Sequence, residues 1–422
     1  MGVGTIFSLV VVVVAVVAAF IQYRLSAMGV SPVVSVLPNL PTRPDIDNKA
    51  NWTGKVEQIG VDDLVGPESL ISTTHNGKEY MFASLGDGRI VRLVGGNYDD
   101  GVDLSWTTVS RTGADDKNCG RGGPTDTTNT EELCGRPLGM KIVKRSSVDN
   151  NTHLDGDEDV LVVADAYKGL LMVSGIFSGQ EENGKVHVLA TRANSDDKNY
   201  KFQLLNGIVQ APDGSLYISE TTQYFQRRRI LHAAFDGRST GRLLRYTKGE
   251  GVKVVVGDIY MPNGLTLSHD KQHILVVSGV QIGRYSLEWK QMEREPFVNV
   301  MAGTGDNIDA KAHLPDGKKM NCYWAGYGSR FAKPFTLLKT LSEKPLLKSI
   351  LCALVPYQTI VESIPVFSAL AVYGEDGKLI DVYQDNNVIA PWLSEAEVFG
   401  EYLYLASWYN PFLARVKIDY HR

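Results

Sequence analysis

The chain has 422 residues, 43% hydrophobic and 22% charged, with a formal net charge of −5 at pH 7. That supplies a full globular core and excludes a binder that works by neutralising nucleic-acid phosphates. Zinc-finger, Walker A and dinucleotide fingerprints are absent from the sequence, and four cysteines are too few for a disulfide-built scaffold.

The first element is an apolar helix. Thr5 to Ile21 read TIFSLVVVVVAVVAAFI, without a charge. The run exceeds the apolar core of a usual signal peptide and suffices to cross roughly 30 Å of hydrocarbon. Residues 1–24 are therefore expected to form a membrane anchor. A cleaved signal peptide is the alternative, since Ala15, Ala18, Ala19 and the Ser26-Ala27 pair offer small residues to a peptidase. No Lys or Arg precedes the run and Arg24 follows it, so flanking charge does not orient it. Two Asn-x-Ser/Thr sequons, at Asn51 and Asn150, suit glycosylation of a lumenal or extracellular body. The expected location is the endoplasmic reticulum or plasma membrane, crossed once. Residues 25–54, rich in Pro, Asn and Asp, read as a stalk.

From residue 55 to 422 one unit recurs: an apolar strand, a small-residue turn, and a second strand. The copies are EYMFASLGDGRIVRL, VLVVADAYKGLLMV, SLYISETT with GRLLRYT, HILVVSGVQIGRYSL, MNCYWAGYGSR and YLYLASWYNPFLARVK. Short Val-, Ile-, Leu- and Tyr-rich strands bounded by Gly and Asp are antiparallel β. Six copies at irregular spacing predict an all-β fold, a six-bladed β-propeller with loop insertions. A β-sandwich also has many short strands but does not call for the recurring strand–turn–strand unit.

Within the repeats, Cys119 and Cys134 lie close together in a polar, Gly-rich stretch and are expected to form a disulfide in an oxidising compartment. Cys322 and Cys352 read as core or helix residues. The run Gln226-Arg227-Arg228-Arg229 reads as a solvated loop, or as a contact through Arg227 and Arg228 for an anionic substrate group or acidic partner. The segment 334–361 breaks the β pattern. Its leucines fall near helical spacing with lysines between them, and Ser342-Glu343-Lys344-Pro345 divides it into two short helices. It is expected to be a lid on the propeller face, or an interfacial membrane helix.

Four short motifs precede successive blades at a similar phase: Gly66-Pro67-Glu68, Asn206-Gly207-Ile208-Val209, Pro262-Asn263-Gly264 and Asp306-Asn307-Ile308. Residues entering innermost strands converge on the propeller axis. What converges is Glu68, Asn206, Asn263, Asp306 and Asn307, all oxygen donors, which suit calcium and not zinc. Asn-Gly and Pro-Asn-Gly are also turn sequences, and each motif taken singly reads as a turn.

Most of the chain from Gly66 onward resembles the strictosidine synthase-like family. The resemblance rests on Gly66-Pro67-Glu68-Ser69, Cys134-Gly135-Arg136-Pro137-Leu138-Gly139, Ala164-Asp165-Ala166-Tyr167-Lys168-Gly169-Leu170, Gln226-Arg227-Arg228, Pro262-Asn263-Gly264, Asp306-Asn307-Ile308 and Leu341-Ser342-Glu343-Lys344-Pro345. It implies a six-bladed propeller with one N-terminal anchor. It also implies kinship with calcium-dependent esterases and lactonases whose ligands match Glu68, Asn206, Asn263, Asp306 and Asn307. A small-molecule ester or lactone is then the expected substrate, with Asp306 as nucleophile or base. Paraoxonases use a channel histidine near the start of the second blade, where this chain has Cys134-Gly135-Arg136-Pro137. His75 reads as a surface residue rather than a replacement. The amine–aldehyde condensation that named the family uses a Glu in the last blade. Glu397 is the best match here, with Glu395 close by, and that reaction is the least favoured reading. A non-catalytic binding or adhesion propeller with structural calcium is the alternative to a hydrolase.

Overall fold

The apolar first strand of each repeat is buried on both sides, as in Asp159–Asp165, where six of seven residues are buried. A strand buried on both faces needs a neighbour above and below, which a stack of small sheets provides. The structure, a computed structural model, describes residues 3–35, 50–52, 54–94, 105–120, 130–149, 157–301, 303–330, 341–364 and 366–418. It contains six sheets, five with four strands and one with five. Their innermost strands are Leu70–His75, Pro137–Lys144, Leu205–Gln210, Pro262–Leu267, Gly303–His313 and Leu393–Phe399, for blades 1 to 6 in order. Each touches the next around the ring, and the last touches the first.

No single core fills the molecule. Six apolar clusters occupy the six interfaces between adjacent blades, among the described residues. The propeller is therefore stabilised by face-to-face burial of neighbouring sheets. Each predicted copy supplies the second and third strands of one blade, except the fifth. There the second strand (Lys319–Arg330) and third strand (Ala369–Gly374) are separated by the helical insertion.

Both ends of the repeat region close the ring. Val56–Ile59 pairs antiparallel with Leu413–Lys417 as the outer strand of blade 6. Ala50–Asn51 adds a parallel edge to Leu379–Gln384 in blade 5. The end of the expected stalk is thus sheet. Its residues 36–49 lie outside the described residues, as does Asn150. Asn51 belongs to the two-residue strand in blade 5.

The first helix, α1 (Val3–Met28), has mean hydropathy 2.1 over Val10–Met28 and stands almost wholly outside the propeller, only 6% of that window being buried. Four further helices are described: α2 (Thr130–Cys134), α3 (Ile230–Asp236), α4 (Pro345–Leu354) and α5 (Tyr357–Glu362). All four sit at one end of the ring, called here the upper face, in connections that the strand directions place there. The break at Ser342–Lys344 is where the sequence put it, with Pro345 starting α4. The start of the insertion, residues 334–340, lies outside the described residues.

Cys119 and Cys134 form a disulfide with a sequence separation of 15. Cys322 and Cys352 are free and buried. Closing a loop of that size is worth about 3 kcal/mol through the unfolded chain. We expect Cys119→Ala/Cys134→Ala to lower unfolding free energy by that amount in urea. Under reducing conditions the unsubstituted chain should match the variant.

His232 on α3 is only 6% exposed and lies 5.0 Å, ring to ring, from Tyr357 on α5. Burial, then the positive charges of Arg229 and Arg24, push its pKa down to about 4. The unfolded chain takes up this proton near pH 6.5, before the folded one does, so stability falls as pH drops from 6.5 towards 4. The full loss is roughly 3 kcal/mol. Replacing His232 with Gln is expected to flatten the acid limb of stability against pH between those values.

Candidate metal centre and channel

The Asn-Gly pairs are not turns. In blades 3, 4 and 5 the innermost strand slips register between Leu205 and Ile208, Pro262 and Leu265, and Gly305 and Ile308. Asn206, Asn263, Asp306 and Asn307 sit on these bulges, which re-aim side chains out of the ladder. The following glycine lets the next blade close in. A Cβ at Gly207 would lie 2.6 Å from the Asn263 carbonyl oxygen, and one at Gly264 would lie 2.5 Å from Asn307 Cα. Gly207 is therefore a packing requirement beside Asn206.

The bulges gather the donors at a waist in the channel. Above it, Glu68, Asn206, Asn263 and Asp306 line a cavity of about 220 Å³. Below it, Asn307 lines a second cavity of about 450 Å³ with Asp309, Lys311, Glu395 and Glu397. Asn263 Nδ2 donates to Asp306 Oδ1 at 2.7 Å. Asn307 Nδ2 donates to the Glu68 carbonyl oxygen at 3.4 Å. Glu68, Asn206, Asp306 and Asn307 are each at most 7% exposed.

Three buried oxygens here, Glu68 Oε2, Asn206 Oδ1 and Asn263 Oδ1, have no hydrogen-bond partner. Each such group costs about 1–3 kcal/mol unless something else satisfies it. Two unpaired amide oxygens, a Glu68 oxygen that meets only the Arg136 guanidinium, and the Asp306 carboxylate fit a hard cation that takes oxygen ligands, amide carbonyls included. Among the described residues no three His, Cys, Asp or Glu side chains group in metal-binding fashion, so the donor set is mostly amide. Burial, and then the charge of Glu68, push the Asp306 carboxyl well above the usual range. Burial also raises that of Glu68, offset by Arg136 and Arg227.

Of those arginines, the sequence reading missed Arg136 and gave Arg227 only as one of two alternatives, a solvated loop or a contact residue. Arg136 is fully buried. Its Nη1 donates to the Gly66 carbonyl at 2.8 Å, and its Nη2 lies 3.6 Å from Glu68 Oε2. Arg227 is 8% exposed and lines the upper cavity. Glu131 of α2 holds it through Nε at 3.1 Å and Nη2 at 2.6 Å, and its guanidinium lies 5.7 Å from the Trp408 ring. A short arginine-rich run before a helix gave no sign of this inward turn. Arg228 points elsewhere, 4.0 Å from Glu132. The rest of the upper wall is mainly apolar, with Leu138, Leu204, Ile230, Leu231, Trp392 and Trp408.

Glu397 and Asp306 are not brought together. Glu397 lines the lower cavity, accepts from Ser72 Oγ at 2.5 Å, and is paired with Lys311. Its neighbour Glu395 accepts from the Leu70 amide at 3.1 Å, and burial followed by Asp309 pushes its pKa up to about 8. His75 stacks on Phe177 at 3.9 Å on the lower side and lines neither cavity.

The sequence profile of the Strictosidine synthase family matches residues 206–290, the stretch that begins at Asn206 and includes Asn263. The adipocyte plasma membrane-associated protein of Bos taurus is 29% identical over 371 residues, covering 86% of this chain and 79% of that protein. Its Gallus gallus counterpart is 29% identical over 377 residues, covering 88% and 80%. Strictosidine synthase-like 2 of Arabidopsis thaliana is 28% identical over 374 residues, covering 84% and 87%. Among solved structures, a gluconolactonase from Xanthomonas campestris superposes with a TM-score of 0.49 at 12% identity, covering 92% of this chain and 98% of that one. Regucalcin, a calcium-binding protein from Agrobacterium tumefaciens, gives 0.47 at 13% identity, covering 87% and 95%. At such identities the chemistry has to be read from the residues themselves. The chain thus carries a strictosidine synthase segment in residues 206–290 and, along most of its length, is similar to the adipocyte plasma membrane-associated proteins.

Proposed function

We propose that the chain is a membrane-anchored, calcium-dependent hydrolase of esters or lactones, its propeller lumenal or extracellular. The observation that carries this reading is the set of three buried oxygens without a hydrogen-bond partner beside Asp306, on the floor of a mainly apolar cavity. Glu68, Asn206, Asn263, Asp306 and Asn307 would hold the ion. A bound calcium ion would act as a Lewis acid towards the substrate carbonyl.

The remaining work falls to the chain's own groups. Apolar walls hold the acyl or aryl body and thin the water around it. Arg227, fixed by Glu131, keeps a positive charge facing the same space and favours developing negative charge on substrate oxygen. Asp306 accepts the proton of an attacking water as its oxygen bonds to the carbonyl carbon. The alcohol oxygen then leaves with the bonding pair and takes up the proton that Asp306 received, which returns the carboxylate. Glu397 has no part in this reading, because it faces the other cavity and is engaged by Lys311. The membrane is met through α1, and the lid helices are close to it.

The test is turnover of phenyl acetate and a small lactone by the full chain, in calcium and after EDTA. Calcium-dependent turnover supports the hydrolase. No turnover, with calcium raising only the melting temperature, refutes it and leaves a binding propeller with a structural ion.

A further inference from the structure

The segment after α1 does not leave the propeller as a free stalk. Leu25 and Val30 are buried in a cluster with Phe225, Ala233 of α3, and Cys352 and Ala353 of α4. Polar bonds then fasten the strap that follows. The Ser31 amide donates to Asp236 Oδ1 at 2.6 Å, and the Val33 amide to the Asp236 carbonyl at 2.9 Å. Lys348 Nζ of α4 donates to the Val33 carbonyl and to Ser35 Oγ.

Helix α3 is shared between this assembly and the candidate site. Ile230, Leu231 and Ala234 face the upper cavity, and Ala233 faces the end of α1. The α3 roof of the site is thus backed by the end of the apolar helix and by α4, which do not themselves line the cavity.

The outer side of that roof is unusual for a surface in water. Leu346 is 71% exposed, Leu347 44% and Leu354 49%, while Lys348, Cys352 and Ala353 face inward. Positions 346, 350 and 354 make one stripe on α4, and all three are Leu or Ile. Arg24 on α1, Arg229 before α3, and Glu343 and Lys344 before α4 are exposed, a net basic set on the same face. A leucine stripe bordered by basic residues suits a bilayer surface with anionic headgroups.

We infer that α4 lies in the interface of the bilayer that α1 enters, so that the roof of the candidate site rests on the membrane. The occupant is the lipid surface, because α4 packs directly on the helix that reaches it. The inference rests on α1 crossing the membrane. It does not rest on the site being catalytic.

The test uses the full chain in nanodiscs of phosphatidylcholine and phosphatidylserine. Single nitroxide labels are placed through Leu347→Cys, Leu354→Cys, Val14→Cys on α1, and Trp289→Cys on a connection at the lower face. Both native free thiols are buried and stay unlabelled. Labels at 347 and 354 are expected to have a several-fold higher ratio of oxygen to water-soluble nickel collisions than the label at 289. If they match 289 while the Val14 label reports lipid, the anchor stands and the inference is overturned. If the Val14 label also reports water, anchor and inference fall together.

Discussion

Replacing Asp306 with Asn is expected to act in opposite directions with and without calcium. The substitution keeps the shape of the side chain and removes one of two carboxylates from the donor set. Ligand charge count tunes calcium affinity over decades, and we expect affinity to fall about a hundredfold. Calcium-dependent ester turnover should fall by at least that factor, with circular dichroism unchanged. In EDTA the variant should melt higher than the parent. Burial and the neighbouring Glu68 already disfavour the Asp306 carboxylate, and Asn carries no charge to repel. Isothermal titration and melting curves in calcium and in EDTA decide the matter. An unchanged calcium affinity, or a lower melting point in EDTA, would sink the assignment of Asp306 as a ligand.

Arg136→Met is expected to be the most destabilising single change at the site, by about 3–5 kcal/mol. The methionine fills much of the volume, but Glu68 then keeps its buried charge with no Arg136 beside it. Carbonyl groups of Gly66 and Trp408 lose their donors as well. Adding Glu68→Gln should recover part of the loss, because the orphaned charge is gone. Urea midpoints for the two single variants and the double variant form the cycle. Strict additivity would mean that Arg136 acts only through its carbonyl bonds and not through Glu68.

The propeller was legible because each blade repeats one apolar strand–turn–strand unit, and a sixfold repeat survives loops of any length. The convergence of Glu68, Asn206, Asn263 and Asp306 was legible because blade symmetry puts equivalent motif positions on one axis. The role of Arg136 was not, and that of Arg227 was legible only as one of two alternatives. Arg136 follows Cys134 in what reads as a loop, and nothing local says that its side chain runs under Glu68. Arg227 sits in a basic run whose charge suggests solvent, yet Glu131, some hundred residues earlier, draws it inward. Such ion pairs are set by tertiary placement and leave no periodic trace. Glu397 shows the same limit from the other side. Position in the last blade marked it, but strand alternation and Lys311 turn it to the far cavity. The stalk was misread at both ends. Pro and Asp suggested a free linker, whereas residues 29–35 are held by α3 and α4, and residues 50–51 by blade 5.

The seam in blade 6 also sets a clock on biosynthesis. Its outer strand is made first and its partner last, with Glu57 and Arg415, bonded across the seam, 358 residues apart. At roughly 5–20 residues per second, the first strand waits on the order of 20–70 s for its partner to leave the ribosome. During that interval blade 1 has no blade 6 to cover its face, and the apolar side chains between them stand open to chaperones. The Cys119–Cys134 bridge can be formed while the ring is still unclosed. A stop just before Leu413 would leave the chain with every other strand made and no closing strand for blade 6.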